Sequence, residues 1–200
     1  MRTTVVTVAV STALWLAAPA AQGQSGRHPD GLWIGAGLGH GTMNRSCDSC
    51  WSGPRTGGST GWVQVDGAVR SHVRVGAALH LWWQSGRNDY TSSAAASERL
   101  SNLGAVLHYY PVANGSFFLG GSLGLSNYYS KSVNAHSNDW GWGFTADAGY
   151  DIRLVSNVSL TPRLTYCYGA IGTVKGGPYG GLYPGWTQNV IDLGLGVAVR

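Results

Sequence analysis

Trp140–Ile152 reads WGWGFTADAGYDI, and the architecture follows from its alternation. Taken alternately, it gives Trp140, Trp142, Phe144, Ala146, Ala148, Tyr150 and Ile152 on one side, and Gly141, Gly143, Thr145, Asp147, Gly149 and Asp151 on the other. Successive side chains of a strand point to opposite faces, so this is a strand with one apolar face and one small or acidic face. Trp140 and Tyr150 bracket it, roughly 33 Å apart at about 3.3 Å per residue. Tilted by about 40°, that length becomes roughly 25 Å, the height of the apolar band of a barrel that crosses a membrane with strands. The apolar side is therefore expected to face hydrocarbon, and the remainder of the chain to repeat the pattern until the sheet closes.

The beginning of the chain is of a different kind. Arg2, an apolar run from Val5 to about Ala18 and the small residues Ala18-Pro19-Ala20 read as a secretory signal over residues 1–20. That run is too short for a spanning helix. Residues 21–30 form a short polar lead-in, and 31–200 the one remaining domain. No later stretch is long and apolar enough for a transmembrane helix. Glycine (31), tyrosine (10) and tryptophan (9) are abundant and only 11% of residues are charged. Such a composition hydrates a water-facing surface poorly but suits a lipid-facing one, where Lys or Arg at mid-bilayer costs about 2–4 kcal/mol. The net charge of +4 is thinly spread, and no basic run points to nucleic acid.

Eight strands are predicted: 31–41, 60–69, 73–84, 99–110, 117–129, 140–152, 158–169 and 187–200. In the first, Leu32, Ile34, Ala36 and Leu38 alternate with Trp33, Gly35, Gly37 and Gly39. Its GAGLGHG run has glycines at every second residue and no helix after it, which excludes a dinucleotide-binding turn. Asn114-Gly115 is a hairpin signal. Pro162, unable to donate to a ladder, is expected to sit at a bulge. Connections alternate long and short, the asymmetry of outer-membrane barrels with short periplasmic turns and longer external loops. Tyr109, Tyr110, Phe117 and Tyr150 fall near one rim; Trp62, Trp82, Trp83, Tyr128, Tyr129, Trp140, Tyr166, Tyr168 and Trp186 fall near the other, giving two aromatic girdles.

On these residues the chain resembles the small eight-stranded outer-membrane barrels of OmpA, OmpX and OmpW type over Gly31–Arg200. Its last strand carries the polar-x-Gly-x-x-apolar-x-apolar signal of that class as Asp192, Gly194, Val197 and Val199, although the chain ends on Val199-Arg200 rather than an aromatic. The resemblance implies an all-β, eight-stranded antiparallel up-and-down transmembrane barrel in a Gram-negative outer membrane. It also implies a monomer, with the barrel-assembly machinery, outer-membrane lipid and lipopolysaccharide as partners. No peptidoglycan-binding domain is expected after the barrel.

Chemistry is sparse in the pattern. Cys47 and Cys50 stand in the first external loop, where export makes a disulfide the expected state. A zinc pair with His40 lacks further ligands, a redox motif lacks its helix, and no metal site or cofactor is nominated. Cys167, alone on an inward position, reads as an inert small residue. The inward set Asp66, Arg74, His80, Asp147, Asp151, Arg163 and Asp192 reads as an ion-pair network in a lumen only wide enough for side chains. A narrower alternative is a proton or small-solute path in which Arg163 swaps acidic partners. It draws on room left for water by Gly35, Gly37, Gly76, Gly120, Gly124, Gly143 and Gly149. A lipid A-modifying enzyme would have to use His136, Ser137 and Asp139, in a loop and without specific spacing. A soluble periplasmic binder would need polar outward positions, against Trp142, Phe144, Leu123 and Leu164. The expectation is thus a non-enzymatic barrel acting through external loops, with little or no conduction.

Overall fold

The computed structural model describes residues 31–50, 53–87, 95–112, 115–131, 136–175 and 182–200; residues 1–30, where a signal and a lead-in are expected, lie outside them. The strands are β1 (Leu32–Ser46), β2 (Thr56–Arg70), β3 (Val73–Arg87), β4 (Ala95–Tyr109), β5 (Phe117–Lys131), β6 (His136–Tyr150), β7 (Ile152–Val155), β8 (Val158–Lys175) and β9 (Leu182–Val199). β7 continues β6 past a break at Asp151, so nine strands make eight staves, each antiparallel to its neighbours. β1 pairs with β9 and β6 with β8, which closes the sheet into a barrel.

The register fixes the shape. From Ala36, the pairing runs through Val63, Leu79, Leu103, Leu125, Trp142, Ala170 and Thr187 and returns to Ser46, ten residues further along β1. That stagger, about 33 Å over eight staves about 4.8 Å apart, tilts the strands by about 41°.

Side-chain parity follows the alternation read from the sequence. Leu38 (69% exposed), Leu193 (67%) and Leu123 (64%) stand fully outside at mid-height, with Leu103, Leu125, Trp142 and Leu164 also exposed around them. An uninterrupted apolar belt of this extent is what hydrocarbon covers and water does not. Tyr109, Phe117 and Tyr150 are exposed at one rim; Trp83 and Trp140 are exposed at the other, with Tyr129 and Tyr168 half-buried beside them.

Four expectations are corrected. Trp62, Trp82, Tyr128 and Trp186 do not join a girdle; all four are buried in the lumen, as is Tyr110 at the opposite end. Parity decides this, since Trp62 shares a face with Gln64 and Asp66. Secondly, the strands outrun the sequence reading: β1 carries on through His40 to Ser46, β2 starts at Thr56 and β6 at His136, leaving only 47–55 as the first connection. Polar residues continue the ladder there because beyond the membrane both faces can be wet. Thirdly, Pro162 makes no bulge. It pairs in register with Leu195 of β9, and on its other side the ladder is interrupted between Gly149↔Arg163 and Ile152↔Leu160. The missing N–H thus coincides with the break at Asp151. Lastly, of the inward glycines expected to leave room for water, Gly35, Gly37, Gly120 and Gly149 lie against lumen side chains, and Gly76, Gly124 and Gly143 against the backbone of a neighbouring strand. A Cβ at Gly37 would stand 2.6 Å from the Trp62 indole, and one at Gly58 2.6 Å from that of Trp82.

Gly141 has a different duty. A Cβ there would run into the carbonyl oxygen of Ala170 across the β6–β8 seam. Gly141→Val is therefore expected to cost about 1–3 kcal/mol through overpacking. The check is the unfolding midpoint in vesicles and the refolded fraction, seen as heat-modifiable gel migration.

Candidate functional site: the barrel lumen

The lumen is filled by side chains in layers that rise from the short-turn end. In the first, the Arg74 guanidinium lies over Trp33 at 3.8 Å and Tyr110 at 4.3 Å from the ring centroids, and 3.6 Å from Asp151 Oδ2. Tyr110 Oη donates to Asp151 Oδ2 (3.0 Å) and Thr161 Oγ1 to Asp151 Oδ1 (2.8 Å). The carboxylate at the β6–β7 break thus ties three other staves together.

Above it sits a charged knot. Arg163 stacks on Trp62 (4.1 Å) and Phe118 (5.3 Å), donates through a terminal nitrogen to Gln64 Oε1 and lies with Nε 3.5 Å from Asp147 Oδ2. Asp147 Oδ2 is also 3.6 Å from His108 Nε2, whose Nδ1 is 3.2 Å from Asp66 Oδ2. Gln64 Nε2 donates to Asp66 Oδ2 (3.1 Å). Charges taken out of water cost several kcal/mol each unless paired, and this ring of contacts is what offsets that cost.

The third layer holds His80 between two partners. Its Nε2 faces Asp192 Oδ2 at 3.1 Å and its Nδ1 faces Cys167 Sγ at 3.2 Å, with Thr60 Oγ1 donating to Asp192 Oδ1 (3.4 Å) and Thr145 Oγ1 3.5 Å from the sulfur. Met43, Trp82, Leu100 and Val190, all buried, then close the lumen with an apolar layer packed on Cys167. Trp82 Nε1 donates to the Gly41 carbonyl (3.3 Å). At the top, Arg45 pairs with Glu98, to which Tyr128 Oη also donates (3.3 Å), and Tyr128 packs on Trp186 at 4.8 Å. Ile171 and Val174 complete this second apolar plug, with Tyr183 and the disulfide-bonded Cys47 and Cys50 against it. Asp48 N–H donates to the Pro184 carbonyl and pins that loop to β9.

All seven inward charges named from the sequence lie in the lumen, but in separate groups: Arg74 with Asp151, Arg163 with Asp147 and Asp66, His80 with Asp192. His108 bridges the middle group and Glu98 and Arg45 form the top one, and sequence reasoning missed all three. His108 and Glu98 stand on the inward parity of β4, whose phase was hardest to read. The spacing of residues 80, 167 and 192 is too wide to suggest their meeting. The enzyme candidate does not assemble: His136 faces outward against the Tyr129 ring (5.3 Å), whereas Ser137 Oγ donates inward to Asp139. Of the assembly-signal residues, Asp192 and Gly194 face inward on β9 and Val197 faces out, on the strand that closes against β1.

No protein-family model matches the chain, and no curated protein sequence matches it. Among solved structures, the crystal structure of Neisserial surface protein A (NspA) is similar with a TM-score of 0.52 at 16% identity, over 84% of this chain and 96% of that one. That of Ail, the attachment invasion locus protein of Yersinia pestis, in complex with the heparin analogue sucrose octasulfate, gives 0.53 at 9% identity, over 84% and 98%. At these identities the likeness concerns the fold, which is that of the small eight-stranded bacterial outer-membrane barrels.

Proposed function

We propose that the chain is an outer-membrane barrel with an occluded lumen, acting structurally or by surface interaction at its external rim rather than as a conduit. The observation that carries this reading is the pair of apolar plugs, Met43–Trp82–Leu100–Val190 and Tyr128–Ile171–Val174–Trp186, stacked across the path that a solute or proton would take. A continuous polar route is what conduction requires, and Arg163, already engaged by Asp147 and Gln64, lies below both plugs.

The external rim supplies the interacting groups. Arg55 is exposed on the outer wall, donating to Thr42 Oγ1 (2.9 Å) and Asn189 Oδ1 (2.8 Å), and Arg99 lies over Tyr129 at 5.3 Å. Lys131 is exposed at the end of β5. Cations above the outer girdle suit the phosphates of lipopolysaccharide in the outer leaflet, where charge-assisted hydrogen bonds are strong. The last strand would be the element read by the barrel-assembly machinery.

The test is conductance of the refolded protein in planar bilayers. Steady openings should be absent from the wild type and appear in Trp82→Ala/Trp186→Ala, which empties both plugs. Steady wild-type openings, lost in Arg163→Ala or Asp147→Ala, would replace this reading with the narrow pore.

A further inference from the structure

The proposed function uses the lumen only as filling, yet the third layer has a chemistry that filling does not need. Thiol, imidazole and carboxylate from β8, β3 and β9 converge there, with one ligand atom of each within 4.8 Å of the others and all three residues buried. We propose that Cys167 Sγ and His80 Nδ1 form a site for a soft monovalent metal ion, copper(I), with Asp192 orienting the imidazole.

The arrangement selects the ion. Sγ and Nδ1 are 3.2 Å apart, so an ion bound beside them needs only a small opening of that pair. Asp192 addresses the opposite ring nitrogen at 3.1 Å, the position from which a carboxylate fixes the tautomer of a metal-bound histidine. One imidazole cannot offer both nitrogens to one ion, so the carboxylate supports the site rather than joining it. That leaves one thiolate and one imidazole, a set that copper(I) accepts at low coordination number and zinc(II) does not, since zinc wants four ligands. Met43, in the apolar cluster that packs on Cys167, is a soft thioether of the kind copper(I) also favours. Charge agrees at the ligands: when Cys167 releases its proton, thiolate and monovalent ion cancel, and the Asp192 carboxylate keeps the imidazole N–H as its partner. A thiol–imidazole–carboxylate chain is also the arrangement of a cysteine nucleophile. Cys167 and Trp82 above it are both 0% exposed, which bars an acyl substrate but not a bare ion taken up during folding.

The protein is refolded anaerobically with and without copper(I), in a Cys47→Ser/Cys50→Ser background because that pair, once reduced, would itself hold copper. Binding is read by competition with a coloured chelator, and the copper–sulfur contact by X-ray absorption. One ion per chain is expected. Cys167→Ser and His80→Gln should each weaken it at least 100-fold, and Asp192→Asn by about 10-fold, the usual cost of losing a supporting partner. Heat-modifiable migration identifies folded variants, and either ligand variant alone suffices should the other fail to fold. No copper retained after refolding, or retention unchanged in the folded ligand variants, overturns the proposal. So does tighter binding of zinc(II) that Asp192→Asn abolishes.

Discussion

Leu38→Arg and Leu193→Arg will each lower the unfolding free energy in phospholipid vesicles by about 2–4 kcal/mol relative to alanine at the same position. Both side chains stand outside the wall at mid-height, 69% and 67% exposed. On a barrel bathed in water, an exposed leucine replaced by arginine would change stability by no more than about 0.5 kcal/mol. In hydrocarbon the guanidinium must thin the bilayer or drag water inward. Asn44→Arg, further up β1 toward the external rim, should cost only about 0–1 kcal/mol, because its charge reaches the headgroups. The gradient along one strand, rather than any single value, is the diagnostic. It is measured by equilibrium denaturant titration of vesicle-inserted protein, and a flat profile would remove the lipid-facing reading.

The second large effect lies inside. Arg163→Ala should destabilise by about 3–5 kcal/mol, the usual cost of removing one member of a buried ion pair. The loss exceeds one contact. Asp147 keeps only His108, Gln64 Oε1 loses its donor, and Trp62 and Phe118 lose the cation stacked on them. Arg163→Lys should recover only part of this, since a single ammonium cannot serve Asp147 and Gln64 in the fork geometry that a guanidinium provides. Arg163→Ala/Asp147→Ala should be less destabilised than the two single variants added together, because the uncompensated carboxylate is gone. A fully additive cycle would show that the pair is already water-screened and the lumen less tightly filled than described.

The fold was legible because it rests on local parity. Each spanning segment alternates so regularly that the sides of Leu38, Val63, Leu103 and Phe144 follow from counting by two, and a lipid-facing belt follows from their chemistry. The edges were not legible, since above the membrane Thr42, Ser59 and Asn138 carry no apolar periodicity although the ladder continues through them. The lumen was half legible. Inward charges could be named one by one, but which of them meet depends on the ten-residue stagger around the closed sheet, a property no single segment contains. Thus parity turns Asp66 and Asp147 inward, while His108, which bridges them, stands on β4, where the phase is hardest to read. Trp62 and Trp82 lie near a rim along their strands, but their parity with Gln64 and His80 turns them into the lumen.

The glycine shelf beneath Trp62 has a bearing on how the molecule is put together. Gly37 and Gly196, paired across the meeting of the first and last strands, both lie under the same indole, which belongs to β2. The ring therefore has its full bed only once the two ends of the chain have found each other. Stoppering the interior and zipping the wall become one event, so that a barrel left ajar is also a barrel left hollow, and the emission of that single tryptophan would register both.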